Sequence, residues 1–145
     1  MPWPSESELT SLVARFHDGT VPAAEFTHAA HLAVGLWHAI NFGEADALMR
    51  VRAGIRRLND AHGTPNTATR GYHETITRAY VVLLARFAKA HAGLAPAALA
   101  QALLESDLGK RDALLTYYSR DVLMSVEAKR GWVEPDRLPL DAVAL

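Results

Sequence analysis

Three histidines cluster in a segment of the chain that carries no charged side chains. No Asp, Glu, Lys or Arg occurs between Glu25 and Glu44. This run contains His28, His31 and His38. A helix this poor in charge is usually buried, and imidazoles three residues apart project from one face of adjacent helical turns, where they can bind a divalent ion. The spacing predicts either metal ligands facing an internal cavity or histidines held in a hydrogen-bonded core.

A second predicted helix supplies the groups that would complete a metal site. His73 falls on the apolar stripe of a helix that we expect to begin near residue 72, so its ring should point inward. If the two helices are neighbours, His28, His31 and His73 would meet in the core and leave one coordination position open, as in catalytic metal sites. Zinc, iron, manganese and nickel all accept such ligands. The carboxylate of Glu74 or Glu25 would then transfer a proton.

Four further side chains are candidates for contact with a ligand. Arg70 and Tyr72 adjoin the start of the predicted fourth helix, where an anionic group would be favoured. Tyr117 and Arg120 occur in the polar run that ends at Asp121, and they could donate a proton or bind an anion. Helix capping and an ion pair between Arg120 and Asp121 also explain this run, so both interpretations stay open.

The predicted second helix has two sides on a helical wheel of about 100° per residue. Its apolar side comprises Phe26, Ala30, Ala33, Trp37 and Ile40. Its polar seam comprises His28, His31, Gly35 and His38. Gly35 would let a side chain, a water or a ligand approach the backbone. His38 lies nearly three turns from His28 and is expected to have a structural role.

Hydrophobic periodicity predicts an all-α fold, a single-domain bundle of about five to seven helices in which the second and fourth are central. A capping box at Ser5 and a closing Gly19 delimit the first helix. The other predicted helices cover residues 22–41, 44–62, 72–91, 96–105, 110–118 and 119–130, and residues 64–71 form a loop. Residues 131–145 are predicted to be an extended tail that packs on the body through Trp132, Leu138 and Leu140.

The composition limits the function classes. The 145 residues are 50% hydrophobic, which suffices for one domain with a real core. The formal net charge of −1 gives no field to attract nucleic acid or an anionic membrane, so neither is an expected partner. The absence of cysteine excludes disulfides, thiolate nucleophiles and cysteine-ligated zinc. The first residues lack a basic region followed by an apolar run, which predicts a cytoplasmic protein without a signal peptide.

Four sequence blocks resemble those of small, all-helical bacterial proteins of uncharacterised function. The blocks are FTHAAHL, GYHETIT, YYSRD and WVEPD, which begin at residues 26, 71, 117 and 132. The resemblance implies no activity, because none is known for that family. A three-histidine helical bundle is also similar in architecture to the DinB/YfiT-like metal-binding bundles, with which this chain shares no motif.

Two function classes follow from these patterns. In the first, the chain is a metal-dependent enzyme, a hydrolase or lyase acting on a small molecule, with His28, His31 and His73 binding the ion. In the second, it is a non-enzymatic protein that binds a small ligand or a partner, a second copy of itself included, and its histidines form a core hydrogen-bond network. No nucleophile motif, phosphate loop or nucleotide fingerprint occurs to support a third class.

Overall fold

The first helix, α1 (Glu6–Asp18), begins and ends where its sequence signals predict. In this computed structural model, which describes residues 2–145, the Ser5 hydroxyl accepts a hydrogen bond from the Glu8 N–H at 3.1 Å. The Glu8 carboxylate accepts one from the Ser5 N–H at 3.0 Å, which completes the capping box. Gly19 ends the helix with a φ of 71°, a left-handed conformation that favours glycine.

Residues 2–145 contain seven α-helices and no strands, which confirms the predicted all-α fold. After α1 come α2 (His28–Phe42), α3 (Glu44–Ala61), α4 (Glu74–Ala90), α5 (Pro96–Glu105), α6 (Arg120–Leu123) and α7 (Val126–Arg130). Helix α2 packs against α1, α3, α4 and α5, while α4 packs against α2, α3 and α7. The predicted central position of the second and fourth helices is therefore confirmed. Within the part of the chain described, no helix is both long enough and apolar enough to cross a membrane.

Helix α2 begins six residues later than the sequence predicted. Pro22 has extended backbone, and a short 3-10 turn, Ala23–Glu25, follows it. The helix starts only after Thr27, whose hydroxyl accepts a hydrogen bond from the Ala30 N–H at 3.2 Å. A threonine N-cap of this kind satisfies one of the free donors of the first helical turn. Glu25 therefore lies outside α2, although the predicted second helix, residues 22–41, included it.

The division of α2 into an apolar side and a polar seam was only partly right. Ile40 was assigned to the apolar side but is 39% exposed, whereas His38 is fully buried. Gly35 is also buried. A helix surrounded by four others has little free surface, so its hydrophobic pattern no longer marks a single inward face.

Helix α4 begins at Glu74, and His73 is its N-cap rather than a residue of its inward stripe. The His73 Nδ1 accepts a hydrogen bond from the Ile76 N–H at 3.1 Å. The His73 Nε2 donates to the carbonyl of Leu123 at 2.8 Å, so the ring ties the start of α4 to the end of α6. The prediction that His73 points inward with the apolar stripe was therefore wrong.

The C-terminal third is more broken than predicted. Residues 107–118 contain two 3-10 turns, Asp107–Gly109 and Ala113–Thr116, in place of a helix. Residues 119–130 form two short helices, because the Ser125 hydroxyl accepts from the Ala128 N–H and starts a new one. The tail packs on the body, as predicted, with Trp132 and Leu140 against the core, although Leu138 is 42% exposed.

Candidate functional site

A cavity of about 350 Å³ lies between α2, α3 and α4, and we call it the main cavity. Its walls are mostly aliphatic, with two imidazoles, one hydroxyl and one phenol among them. Its lining residues are His28, His31, Leu32, Gly35, Val51, Ile55, Ile76, Thr77, Tyr80, Val81 and Leu84. The space is open to solvent beside the exposed His31, and a concave, mostly aliphatic site of this size is a candidate binding site.

Gly35 shapes the wall between α2 and α4. A Cβ atom on Gly35 would lie 2.8 Å from the Cδ1 of Leu84, closer than carbon atoms normally approach. Leu84 therefore packs directly on the α2 backbone. The sequence predicted that Gly35 would admit a neighbour close to the backbone, and the structure shows that this neighbour is a leucine at the edge of the main cavity.

His31 contributes a polar group to the main cavity. Its Nδ1 lies 2.9 Å from the carbonyl oxygen of Thr27, and because a carbonyl can only accept, this nitrogen carries the proton. Its Nε2 then holds a lone pair in the neutral ring. Crowding in this concave part of the molecule lowers the pKa of His31, although part of the residue remains exposed. The ring also stacks on Phe26, with centroids 3.7 Å apart.

His28 is the first residue of the polar seam, and one of its ring nitrogens is buried without a hydrogen-bond partner. Its Nε2 makes no hydrogen bond within residues 2–145. Its ring stands edge-on to Tyr80 at 6.0 Å between centroids. Burial lowers the pKa of His28, and the positive charge of Arg111 lowers it further. Burial raises the pKa of Tyr80 to about 12, and the charge of Asp112 adds to that effect. At neutral pH both groups are therefore uncharged.

A second cavity of about 420 Å³ adjoins the main one, and we call it the side cavity. His28, Ile76 and Tyr80 line both spaces and so stand between them. The other lining residues of the side cavity are Arg111, Asp112, Leu114, Leu115, Arg120, Leu123 and Met124. In contrast to the main cavity, its lining includes two arginines and one aspartate.

The predicted three-histidine metal site is not assembled in this conformation. His28 and His31 line the same cavity, but both ring nitrogens of His73 are already in hydrogen bonds to Ile76 and Leu123. Burial lowers the pKa of His73, so the ring is neutral and has no lone pair left for an ion. Among residues 2–145 no group of three or more His, Cys, Asp or Glu side chains is placed to hold a metal.

Glu74, the first candidate for proton transfer, is held in a polar network between α3 and α4. Arg52 donates to both of its carboxylate oxygens, at 2.9 and 2.6 Å, and the Tyr72 hydroxyl donates at 2.7 Å. Burial alone would raise the pKa of Glu74, but these hydrogen bonds outweigh it and leave the pKa lowered. Burial and the bond to Glu74 raise the pKa of Tyr72 to about 12. The network therefore has a structural role in linking α3 to α4. The carboxylate of Glu74 has little capacity to accept a proton.

The remaining predicted residues are scattered. Glu25 forms an exposed ion pair with Arg15 at 3.2 Å and lines a separate groove beside α1. Arg70 is exposed in the loop before α4, where its backbone bonds to Thr67. Tyr117 is buried under the C-terminal tail, and its carbonyl accepts from the backbone of residues 137 and 138. Arg120, in contrast, lines the side cavity.

His38, which the sequence predicted to be structural, is a buried bridge to α1. Its Nδ1 donates to the Val34 carbonyl at 2.8 Å, so its Nε2 accepts from the Nε2 of His17 at 3.0 Å. Burial lowers the pKa of His38. The pair joins the buried His38 of α2 to the exposed His17 at the end of α1.

Sequence reasoning missed several residues of the two cavities. Val51, Ile55 and Tyr80 lie in the predicted third and fourth helices, but hydrophobic periodicity does not show where packing leaves a gap. Arg111 and Asp112 fall in a segment that was predicted to be helical, and no local pattern connects them with His28. Their placement depends on how the turns after α5 cross the bundle.

Comparisons of the chain with protein-family models, curated proteins and solved structures found no match. The resemblance of the four sequence blocks to small bacterial proteins therefore stays a prediction.

Proposed function

We propose that the protein binds a small, largely apolar molecule in the main cavity. The observation that carries this proposal is the cavity itself, whose volume of about 350 Å³ falls in the range of ordinary small-molecule sites. Its walls come from three helices of a closely packed bundle. Such a space leaves aliphatic side chains without contacts on one side, and a bound molecule would supply them.

The polar groups of the main cavity support recognition of one hydroxyl or carbonyl group. The Nε2 of His31 can accept a hydrogen bond, because its Nδ1 is already bonded to Thr27. The protonated hydroxyl of Tyr80 can donate one. The buried Nε2 of His28 makes no hydrogen bond among residues 2–145, although the backbone of Gly109 and Lys110 lies close to the ring, and a ligand could pair with it. Unpaired buried polar atoms are costly, which favours an occupant that satisfies them.

Metal-dependent chemistry, the other predicted function, receives less support from this geometry. His28 and His31 could still share an ion, but a third protein ligand is needed for a catalytic site, and His73 caps α4 instead. Glu74 is bound by Arg52 and Tyr72. A binding function does not require His73 or Glu74 to leave these hydrogen bonds.

The test is calorimetric titration with octanol, which combines an aliphatic chain with one hydroxyl. We expect saturable binding to the wild-type protein. Ile55→Phe adds a ring to the wall of the main cavity and should weaken octanol binding at least tenfold. Met49→Phe places a ring on the exposed side of α3, away from the cavity lining, and should leave the affinity unchanged.

Circular dichroism of both variants verifies that the helices are retained. Absence of octanol binding to the wild-type protein, or equal binding by the folded Ile55→Phe variant, would contradict the proposed function.

A further inference from the structure

The side cavity differs from the main cavity by the charges on its wall. Arg111 and Arg120 both line it as solvent-exposed residues, and neither guanidinium has a hydrogen-bond or ion-pair partner among residues 2–145. Asp112 lines the same space and offsets one of the two positive charges. Unpaired guanidinium groups at a cavity wall favour an anion, and their planar fork matches a carboxylate.

The two cavities are adjacent on either side of His28 and Tyr80, so an amphipathic molecule that lies across these rings would have one end in each. These two rings and Ile76 line both spaces. Burial, and after it the positive charge of Arg111, lowers the pKa of His28, so Arg111 lies near the residue that the two cavities share. An anionic group near His28 would therefore be attracted toward the side cavity rather than held among the aliphatic walls of the main one.

We propose that the ligand is an amphipathic carboxylic acid, with its apolar part in the main cavity and its carboxylate in the side cavity near Arg111 and Arg120. This inference rests on the proposed function, and it names the class of molecule bound. A medium-chain fatty acid is the simplest member of that class. His28 and the Tyr80 hydroxyl lie at the junction, where they contact the ligand between its two ends.

Three probes of equal chain length test the charge preference. They are octanoate, octanol and octylamine, titrated into the wild-type protein by calorimetry at pH 7. We expect octanoate to bind about tenfold tighter than octanol, the effect of one charge-assisted contact, and octylamine to bind most weakly. The double variant Arg111→Gln, Arg120→Gln should bring the ratio of octanoate to octanol affinity close to one.

Two matched variants control for overall charge. Arg130→Gln removes a positive charge from α7 outside both cavities, so the affinity ratio should not change. Asp112→Asn removes the opposing charge from the side cavity, so octanoate should bind more tightly than to the wild-type protein.

The outcomes separate this inference from the proposed function. Octanol binding with no preference for octanoate would overturn the inference and leave the proposed function intact. Absence of binding by all three probes would overturn both. A titration of acetate into the octanol complex tests whether a free carboxylate binds in the side cavity. If acetate binds there as tightly as octanoate binds the free protein, the apolar chain adds nothing to the carboxylate contact and the inference fails.

Discussion

At the scale of single residues, the histidines are kept neutral by their surroundings. Burial is the main cause that lowers the pKa of His28, His31, His38 and His73. Hydrogen bonds between His31 or His38 and backbone carbonyls oppose this effect only in part. Neutral imidazoles can accept as well as donate hydrogen bonds, which suits both a core network and an uncharged ligand site.

This neutrality predicts that acid destabilises the protein. The unfolded chain binds protons on these histidines near pH 6.5, whereas the folded chain binds them only at lower pH. The free energy of unfolding should therefore be highest above pH 6.5 and should fall as the pH decreases from 7 to 5. Urea denaturation at pH 7, 6 and 5 measures this change. His38→Asn should reduce the slope, and stability that is constant or rises on acidification would contradict the prediction.

Glu74 gives a second residue-scale prediction. Glu74→Gln should lower the free energy of unfolding by about 1–2 kcal/mol, because it removes the charge that pairs with the partly buried Arg52. Chemical denaturation of Glu74→Gln, of Arg52→Gln and of the double variant measures the coupling. If the two effects simply add, the ion pair does not hold α3 to α4.

The sequence located part of the candidate site at this scale. His28, His31 and Gly35 were predicted to share a seam, and all three line the main cavity. His73 was assigned as their partner on the basis of an inward stripe, and Glu74 or Glu25 as the group that transfers a proton. The placement of His73 on the stripe depended on the exact start of α4. His73 is the N-cap of this helix and therefore lies outside the stripe. A hydrophobic pattern cannot resolve a boundary to one residue when a histidine acts as the cap.

At the scale of elements, the helix starts determine which side chains reach the cavities. Thr27 begins α2 so that His28 is its first residue, and His73 begins α4 so that Ile76 and Tyr80 face the main cavity. Ser, Thr, Asp and Asn are the usual caps, and Ser5 was recognised for that reason. Histidine is not among them, so the start of α4 was not recognised.

The cap at His73 predicts a specific pattern of rescue. His73→Ala leaves the Ile76 N–H without its acceptor and should lower the free energy of unfolding by about 1 kcal/mol. Asparagine is a good N-cap, so His73→Asn should recover most of that loss. Thermal or urea denaturation of the two variants measures the difference. Equal stability of the two would show that the role of His73 in the fold is not that of a cap.

At the scale of the whole molecule, long-range packing produced the features that no local pattern contained. The main cavity results from the crossing of three helices, and the side cavity from turns after α5 that return to the start of α2 and α4. The all-α class, the central helices and the packed tail followed from periodicity and composition. The two cavities could not be predicted from periodicity and composition. Gaps between elements depend on how well side chains from distant parts of the chain fit together.

Methyl NMR of the protein with octanol tests the central claim most directly. Leu32, Val51, Ile55, Ile76, Val81 and Leu84 place methyl groups around the main cavity, whereas Leu9 and Val13 of α1 lie in a separate core cluster and serve as references. We predict saturable shifts confined to the cavity methyl groups. Shifts that are absent from the cavity, or that are equally large at α1, would contradict the claim that the main cavity is a ligand-binding site.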